Sequence, residues 1–287
     1  MRVAIVGAGT MGTRLALRCA AHGCTVTLVA RHTGRARLAL NAAAEEHDDV
    51  MYVQRIRIVT DLSMLRNAEI VCEAVPEDLA QKRALYAELE AVIPPHVPIA
   101  SGTSSFPPEM LGAEMTHPER LIVAHFVHPV TIVSLAEVIV PAAVDPIAND
   151  VVDTWLRRIA MQPIRLRAPI TGFIVNRLQF AILREALSLV EAGIVTAAEI
   201  DAVMEQALGP RWAATGPLLS VDLGGKSTFA TISRSIAPTL DNRPAIPLLE
   251  STETTFLRDV DGETIAQAKR ARRRSYAHAH AMHTEKR

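Results

Sequence analysis

Near the start of the chain an apolar segment runs directly into a glycine-rich turn, and this pair constrains the fold more than any other feature. Arg2 to Val6 has the composition of a buried strand, and Gly7-Ala8-Gly9-Thr10-Met11-Gly12 follows it at once. Residues 13–22 then have the pattern of a helix, and residues 24–30 that of a second strand. The motif G-x-G-x-x-G is weak evidence alone, but inside a strand–helix–strand unit of about thirty residues it indicates a dinucleotide-binding site.

The glycines of the turn have predicted roles toward the dinucleotide. Gly7 would allow the tight turn, Gly9 the close approach of the pyrophosphate, and Gly12 the close packing of the helix on the strand. The start of the following helix supplies unpaired N–H groups and partial positive charge for the phosphates. The predicted cofactor-binding residues of this turn are therefore Gly7, Gly9, Thr10, Met11 and Gly12.

The end of the second strand bears on which dinucleotide binds. Enzymes that use NAD usually have an acidic residue there, which binds the ribose hydroxyls, but this chain has Ala30 followed by Arg31, and its first acidic residue is Glu45. Five arginines lie in the same segment: Arg14, Arg18, Arg31, Arg35 and Arg37. A guanidinium can bind a 2′-phosphate through two hydrogen bonds. We therefore favour NADP(H), with Arg31 as its ligand; the alternatives are NAD(H) and a solvated basic loop.

Composition agrees with an intracellular enzyme. A chain of 287 residues with 49% hydrophobic residues can bury a sizeable core. Its net charge of −1 gives no electrostatic reason to expect nucleic acid or an anionic membrane as a partner. Its three cysteines are odd in number and form no C-x-x-C, so neither a disulfide framework nor a zinc site is indicated. A strand at residue 2 leaves no room for a signal peptide, and no apolar run reaches the roughly 18–20 residues of a membrane span, so we expect a cytoplasmic protein.

Strand-like and helix-like segments alternate as far as residue 167, and this alternation predicts the fold class. After the first unit, the predicted strands are 55–59, 69–75, 97–100, 120–126, 135–140 and 164–167, and the predicted helices are 35–46, 78–93 and 148–159. Such a pattern predicts an α/β domain with a Rossmann-like, doubly wound and mostly parallel sheet.

The alternation of strand-like and helix-like segments ends near Ala168-Pro169. Residues 172–192 form a long, mostly apolar helical segment, with little strand signal after it. A helix that is apolar nearly all round is usually buried among helices or in a subunit interface. We therefore predict two domains, an NAD(P)-binding domain at 1–168 and an all-helical C-terminal domain at 169–287 that serves the substrate and dimerisation, and we expect a homodimer.

An imidazole and a carboxylate lie on two neighbouring predicted strands. His125 belongs to the segment Ala124-His125-Phe126-Val127-His128-Pro129, and Glu137 follows it by twelve residues. A carboxylate beside a histidine fixes its tautomer and stabilises its protonated form, which general acid–base chemistry at neutral pH requires. The alternative is a buried histidine with a purely structural hydrogen bond.

Together with these segments, three further motifs make the chain resemble the 3-hydroxyacyl-CoA dehydrogenase family. They are the Glu73-to-Lys82 segment, Ser101-Gly102-Thr103-Ser104-Ser105, and Gly172-Phe173-Ile174-Val175-Asn176-Arg177. The resemblance covers residues 1 to about 225. It implies a Rossmann-like domain joined to a helical domain that often dimerises, and oxidation of a 3-hydroxy group with NAD or the reverse reduction.

The resemblance implies roles for three polar residues at the reacting centre. His125 matches the catalytic base, Glu137 its orienting carboxylate, and Ser104 a serine that hydrogen-bonds the reacting oxygen. Removing a hydroxyl proton while hydride leaves for the nicotinamide is the chemistry that such a base serves. For Ser104 the alternative is an N-cap in front of Phe106-Pro107-Pro108-Glu109.

Three more residues acquire roles from the same resemblance. Asn176 matches an asparagine near the substrate carbonyl, and Glu77 and Lys82 match residues on the cofactor side. The alternatives are a capping or anchoring role for Asn176 and a solvated helix face for Glu77 and Lys82.

Two departures from the family pattern concern the substrate. His128 and Gly102 stand where the family usually has asparagine, so ordinary acyl-CoA substrates become doubtful and His128 becomes a candidate substrate contact. His125 and His128 are three residues apart on an extended segment, which sends their side chains to opposite faces, so we expect no metal site.

The segment 208–217 resembles the branch of the family that contains L-gulonate 3-dehydrogenase, the lambda-crystallin relatives and carnitine dehydrogenase. Those enzymes use small, free 3-hydroxy acids. Arg211 could hold a substrate carboxylate and Trp212 could form a wall of the pocket. The alternative is a surface arginine beside a core tryptophan.

The sequence as a whole predicts an NAD(P)-dependent oxidoreductase that interconverts a 3-hydroxy and a 3-oxo group on a small carboxylic acid or acyl derivative. One alternative is a biosynthetic ketoreductase acting on a carrier-bound or aromatic polyketide-like intermediate. Another is a non-catalytic, cofactor-binding structural or sensor protein. The joint presence of His125, Glu137 and Asn176 argues against the latter, since such a protein has no chemical need for all three.

Overall fold

A computed structural model describes residues 1–47, 49–246, 249 and 262–285. The chain divides into two compact units, Met1–Val175 and Asn176–Arg287. The first unit extends past the predicted boundary at Ala168-Pro169, because Phe173 is fully buried in the core of that unit.

The first unit is built on one eight-stranded sheet in the order β3-β2-β1-β4-β5-β6-β7-β8. Its strands are β1 (Arg2–Val6), β2 (Thr25–Val29), β3 (Ile56–Val59), β4 (Ile70–Glu73), β5 (Ile99–Ser101), β6 (Leu121–Phe126), β7 (Leu135–Ile139) and β8 (Gln162–Arg165). Neighbouring strands are parallel except β6 and β7, which pair antiparallel. The predicted Rossmann-like, mostly parallel sheet is confirmed.

Helices cover both faces of this sheet and bury its alternating side chains. They are α1 (Thr10–Ala21), α2 (Thr33–His47), α3 (Leu79–Glu90), α4 (Pro108–Leu111) and α5 (Pro146–Arg158). In β1, Val3 and Ile5 enter the hydrophobic cluster shared with α1, α2 and α5, whereas Ala4 and Val6 enter the one shared with α3 and α4. Successive residues of a strand point to opposite faces, which produces these two cores.

The described residues of the second unit form helices and connecting segments. Its helices are α6 (Phe173–Glu191), which begins at the end of the first unit, α7 (Ala197–Val203), α8 (Gly209–Gly224), α9 (Lys226–Ile236) and α10 (Gly262–Glu285). A π-helical turn, Met204–Leu208, joins α7 to α8. Helix α8 is kinked at Gly216, whose φ is +68°, just before Pro217. The predicted all-helical C-terminal part is confirmed.

Helix α1 begins at Thr10 rather than at the predicted residue 13. Gly9 is its N-cap, and the N–H of Thr13 donates to the carbonyl of Gly9 at 3.0 Å. The second half of the glycine motif is therefore already helical, which places its N–H groups in the first turn.

Buried Arg18 connects α1 to two segments distant in sequence. Its guanidinium donates to the carbonyl oxygens of Val130, Ile159 and Ala160 at 3.0, 2.7 and 2.7 Å and to Ser134 Oγ at 3.1 Å. Burial lowers the pKa of Arg18 to about 10. The helix that follows the glycine motif is thereby fixed to the loop that follows β6.

Candidate active site

The glycine motif forms a cradle that only glycine can build at two of its positions. Gly7 has a φ of +113°, and an added Cβ would lie 2.4 Å from the carbonyl oxygen of Ala74. A Cβ on Gly12 would lie 1.8 Å from the carbonyl oxygen of Gly7. A Cβ on Gly9 would have no described atom within 4 Å outside its own neighbourhood, so the space above Gly9 is open to a ligand. This geometry agrees with the roles predicted for the three glycines.

The N-terminus of α1 is suited to an anion. Within the described residues, no side chain caps it and no acidic residue lies in its first turn. Thr10 and Met11 of this turn line a cleft of about 840 Å³. The N–H groups of an uncapped first turn attract phosphate, so these residues fit the pyrophosphate of a dinucleotide.

The same cleft follows the carboxyl edge of the sheet. Its lining includes Ala30 after β2, Glu73 in β4, Gly102 after β5 and Phe126 in β6. Strands β1 and β4 are neighbours at its centre, and from there the chain proceeds outward in both directions. In open α/β sheets a dinucleotide binds across the crevice at such a switch point.

The five arginines expected near a 2′-phosphate separate into different environments. Arg31 and Arg35 line the cleft beside Ala30. Arg14 pairs with Glu46. Arg18 is buried in the contacts described above, and Arg37 lines a second, separate hollow. The inference from the arginine-rich segment therefore applies to Arg31 and Arg35, and it was wrong to count buried Arg18.

His125 and Glu137 are directly opposite each other in the antiparallel pair of β6 and β7. Such a cross-strand pair places both side chains on the same face. The Nδ1 of His125 lies 2.8 Å from Oε2 of Glu137, and both residues are buried. Because a carboxylate only accepts hydrogen bonds, Nδ1 carries the hydrogen and Nε2 of the neutral ring can accept a proton.

The other oxygen of Glu137 is held by the start of α6. Oε1 accepts the N–H groups of Ile174 at 2.7 Å and Val175 at 3.1 Å. With the histidine, this carboxylate has three partners, two of them at a helix N-terminus, where an anion is stabilised. Sequence reasoning missed these backbone donors, because main-chain groups leave no signal in the residue types.

Phe173 completes the surroundings of the imidazole. It is fully buried, and its ring centroid lies 5.3 Å from that of His125 at an interplanar angle of 55°. Gly172 and Phe173 have φ values of +76° and +50°, and a left-handed conformation is uncommon for a bulky residue. This turn immediately precedes the N–H groups that Glu137 accepts.

A fully buried carboxylate, Glu73, lies at the end of β4, and its role was not predicted. Oε1 accepts Lys82 Nζ at 2.7 Å and the N–H of Val75 at 2.9 Å. Oε2 accepts Tyr86 OH at 2.8 Å and Ser101 Oγ at 2.6 Å. Burial, and then the charge of Glu73, raise the pKa of Tyr86 far above its usual value. The available sequence signal was a lysine and a tyrosine four residues apart on one helix face.

Glu77 lies between Lys82 and the serine-rich loop. Its Oε2 is 3.3 Å from Lys82 Nζ, and its Oε1 accepts Thr103 Oγ1 at 2.6 Å and the N–H of Ser104 at 2.9 Å. Burial opposes ionisation of Glu77, but the hydrogen bond from Thr103 and the charge of Lys82 outweigh it and lower the pKa of this carboxyl. Lys82 is 1% exposed, so the alternative of a solvated face is wrong for it; direct contact of Lys82 with the cofactor stays a prediction.

Ser104 is half-buried and does not cap a helix, since α4 begins at Pro108 with Pro107 as its N-cap. Its Oγ lies 3.4 Å from Glu77 Oε1 and 3.4 Å from Ser105 Oγ. Gly102 lines the cleft two residues earlier, and a Cβ there would lie 3.0 Å from the carbonyl oxygen of Glu73. The loop that carries the Ser104 hydroxyl therefore reaches the cleft at Gly102.

The roles of the remaining candidates stay predictions. His128 is exposed in the loop after β6. In the second unit Asn176 is half-buried on α6, while on α8 Arg211 is exposed and Trp212 half-buried.

Two further properties of the described residues are relevant to partners. Among the residues that the structure describes, no three His, Cys, Asp or Glu side chains are grouped so as to hold a metal ion. None of the described helices is both long and apolar enough to cross a membrane.

An open phosphate cradle and a buried imidazole whose Nδ1 is bound by a carboxylate, both in the unit built on one sheet, are what a nicotinamide-dependent dehydrogenase requires. Comparison with known families agrees with this class. Residues 2–168 match the family model described as the 3-hydroxyacyl-CoA dehydrogenase NAD binding domain, and residues 172–254 match the C-terminal domain of the same family. The chain belongs to the 3-hydroxyacyl-CoA dehydrogenase family.

Two relatives support the predicted branch, and one solved structure agrees with the fold. The human lambda-crystallin homolog is 31% identical over 81% of this chain and 77% of its own length. An L-carnitine dehydrogenase of Streptomyces griseus is 34% identical over 83% of this chain and 74% of its own. A crystal structure of 5-formyl-3-hydroxy-2-methylpyridine 4-carboxylic acid 5-dehydrogenase, an NAD+-dependent dismutase, has a TM-score of 0.83 and 27% identity over 97% of both chains.

These matches confirm the predicted family, fold class and oxidoreductase class, and they support NAD(H) as the cofactor. They give no separate support to a carrier-bound ketoreductase or to a non-catalytic protein.

Proposed function

We propose that this protein interconverts a 3-hydroxy and a 3-oxo group on a small carboxylic acid or acyl derivative, with His125 as the proton-transfer residue. The observation that carries this proposal is the 2.8 Å contact between His125 Nδ1 and Glu137 Oε2. It leaves Nε2 of the imidazole to take the hydroxyl proton during oxidation and to return it during reduction.

The surroundings of His125 suit both directions of proton transfer. Glu137 stabilises the imidazolium that forms when Nε2 takes a proton, and its own orientation is fixed by the N–H groups of Ile174 and Val175. Phe173 limits ring movement and the access of water to one side of the imidazole. Ser104 Oγ donates to the reacting oxygen in this scheme. The bound nicotinamide supplies the hydride acceptor or donor.

Gly7, Gly9, Thr10, Met11 and Gly12 would hold the pyrophosphate in the cleft, while Arg31 would contact the adenosine side. The NAD-binding family match supports NAD(H). Our finer proposal is a preference for NADP(H), because Ala30 removes the ribose-binding carboxylate and because Arg31 and Arg35 line the cleft there.

For the substrate we propose a small free acid rather than a CoA thioester. The family matches include enzymes whose names specify L-carnitine and a pyridine carboxylic acid. Arg211 and Trp212, adjacent on α8, would contact the carboxylate and the body of such a molecule, and His128 would replace a family asparagine at the substrate.

The test of the proposed function is turnover of one acyl group in different chemical forms. Acetoacetate, acetoacetyl-CoA and acetoacetyl acyl carrier protein are compared, with L-carnitine as a further free acid, while NAD(P)H absorbance is followed. Turnover of the free acids supports the proposal, and preference for the carrier-bound form would support the ketoreductase instead. Unchanged turnover by His125→Ala would show that the proposed mechanism is wrong.

We also propose a cytoplasmic homodimer that associates through the helical unit. Leu178, Phe180, Leu218 and Leu223 expose large apolar side chains there, with Leu218 82% exposed. Contact with a second copy of the chain would remove these side chains from water. Light scattering coupled to size-exclusion chromatography tests the dimer, and cell fractionation tests the location.

A further inference from the structure

We propose that Glu77, held in place by Lys82, is a positioning residue that pre-organises Ser104 for the reacting oxygen. This inference rests on the proposed function, because that function gives Ser104 its partner. It differs from a role for Glu77 as a cofactor ligand, since it concerns the geometry of the serine loop before any ligand binds.

The first step of the argument is the anchor. Glu73 has four hydrogen-bond donors around its two buried oxygens, from Lys82, Val75, Tyr86 and Ser101. A buried carboxylate with all its acceptor sites engaged is fixed in orientation, because any movement leaves a donor unpaired. Lys82, which binds to it at 2.7 Å, is therefore fixed as well.

The second step is the connection from the anchor to Glu77. The Lys82 ammonium is shared between Glu73 Oε1 at 2.7 Å and Glu77 Oε2 at 3.3 Å. Lys82 is 1% exposed, so water does not replace either contact. One cation thus sets the position of a second carboxylate, which belongs to an exposed residue and could otherwise adopt several rotamers.

The third step is what Glu77 does to the loop. Its Oε1 accepts Thr103 Oγ1 at 2.6 Å and Ser104 N–H at 2.9 Å. Thr103 Oγ1 in turn accepts the N–H groups of Ser105 at 3.2 Å and Phe106 at 3.1 Å. The backbone N–H groups of three consecutive residues, 104–106, are thereby held by one carboxylate oxygen, either directly or through the side chain of Thr103.

The fourth step is the contrast between the backbone and the hydroxyl of Ser104. Its N–H is bound at 2.9 Å, whereas its Oγ has contacts at 3.4 Å to Glu77 and to Ser105. A normal O–H···O hydrogen bond is about 2.7–2.8 Å long. The residue is therefore held by its main chain while its hydroxyl stays available to a ligand oxygen, which is the arrangement that lowers the cost of reorganisation in a transition state.

The experiment compares Glu77→Gln with Glu114→Gln as its matched control. Glu114 lies in a surface pair with Arg83 and is 70% exposed, so its variant removes the same charge from a surface ion pair rather than from the anchor of the serine loop. Lys82→Met is a supporting variant only, because it leaves Glu73 as an unpaired buried charge and is expected to lower the melting temperature. Two readouts are used: amide hydrogen exchange of residues 101–106 without ligand, and kcat and KM on the best substrate of the panel.

We expect Glu77→Gln to speed exchange in residues 103–106 and to lower kcat by roughly 10- to 100-fold through misplacement of Ser104. In the Ser104→Ala background the same substitution should change kcat less than about twofold, because residues acting through one another are not additive. Glu114→Gln should change neither readout. Glu77→Asp, which restores a carboxylate, should recover part of the kcat.

Unchanged exchange in Glu77→Gln would overturn the inference, and so would equal losses of kcat in the wild-type and Ser104→Ala backgrounds. Failure of the proposed function looks different. In that case His125→Ala retains turnover while the exchange result for Glu77→Gln is unaffected, because exchange is measured without substrate.

Discussion

His125 and Glu137 are cross-strand partners in the antiparallel β6–β7 pair, with Nδ1 and Oε2 2.8 Å apart. Replacing Glu137 with glutamine keeps the shape but removes the charge that stabilises the imidazolium. We expect kcat for oxidation to fall by about 100-fold or more, since a general base contributes roughly 10²–10⁴. Steady-state kinetics measure this, and cofactor binding by fluorescence should stay within about twofold. A kcat close to the wild-type value would show that the charge of Glu137 is dispensable.

Phe173 is expected to support both the fold and the site. Phe173→Ala should lower the free energy of unfolding by about 3–5 kcal/mol, because it removes a fully buried aromatic ring and leaves a cavity. Urea unfolding measures the loss. Phe173→Leu is the matched variant and should lose less than Phe173→Ala, because it refills part of the space. Equal losses in the two variants would mean that ring packing is not the cause.

Gly9 and Gly34 provide a matched pair for the phosphate cradle. An added Cβ meets no described atom within 4 Å at either position, but only the space at Gly9 lies in the proposed pyrophosphate site. Gly9→Ala should keep the wild-type melting temperature and weaken NADPH or NADH binding at least tenfold. Gly34→Ala should leave the binding unchanged and keep or slightly raise the melting temperature, because alanine favours a helix more than glycine does. Equal cofactor affinities in the two variants would show that the pyrophosphate does not bind at Gly9.

Arg31 is expected to discriminate between the two dinucleotides. Arg31→Gln should weaken NADPH binding roughly tenfold, because a hydrogen bond to a charged group contributes about 1.5–3 kcal/mol, and should leave NADH binding nearly unchanged. Fluorescence titration of both cofactors checks this, with Arg37→Gln as the control at the separate hollow. Clearly tighter binding of NADH by the wild-type protein would refute the NADP(H) preference.

We expect Glu77 to make the free energy of unfolding depend on pH in the acidic range. Its pKa in the folded protein is lowered below the usual value near 4.5, so at acidic pH the unfolded chain binds this proton more readily than the folded chain does. The stabilisation that ionised Glu77 contributes is therefore complete above the unfolded-state pKa near 4.5, and it is lost as the pH falls through the folded-state pKa. The difference in unfolding free energy between wild type and Glu77→Gln should shrink from pH 7 to pH 3. A difference that is constant or grows in acid would contradict this.

The sequence predicts best the secondary-structure elements that depend on the pattern of neighbouring residues. The strand–turn–helix start, the parallel sheet and the helical second unit follow from apolar periodicity and from glycine spacing. The pairing of His125 with Glu137 could be predicted from the sequence, because two short strands joined by one connection bring these positions together.

What sequence could not supply depends on packing between distant segments. The four partners of Glu73 come from α3, from β5 and from the turn after β4, so no short window of the chain contains the network. The left-handed φ of Phe173 is unusual for its residue type, and propensities argue against it. Arg18 was misjudged for a related reason, since nothing local distinguishes a buried arginine from a solvated one.

The buried contacts of Arg18 have a practical consequence for changing the cofactor preference by exchanging segments between relatives. Residues that we propose to face the adenosine side follow β2, whereas Arg18 lies before it on α1 and is bonded to carbonyl groups near residues 130 and 160. A graft that starts after Cys24 and ends with α2 leaves those bonds intact. A graft that starts at residue 1 instead replaces α1 with that of a relative, and the new α1 must then bind the segments near residues 130 and 160 of this chain. The position of the crossover should therefore decide whether such a chimera folds.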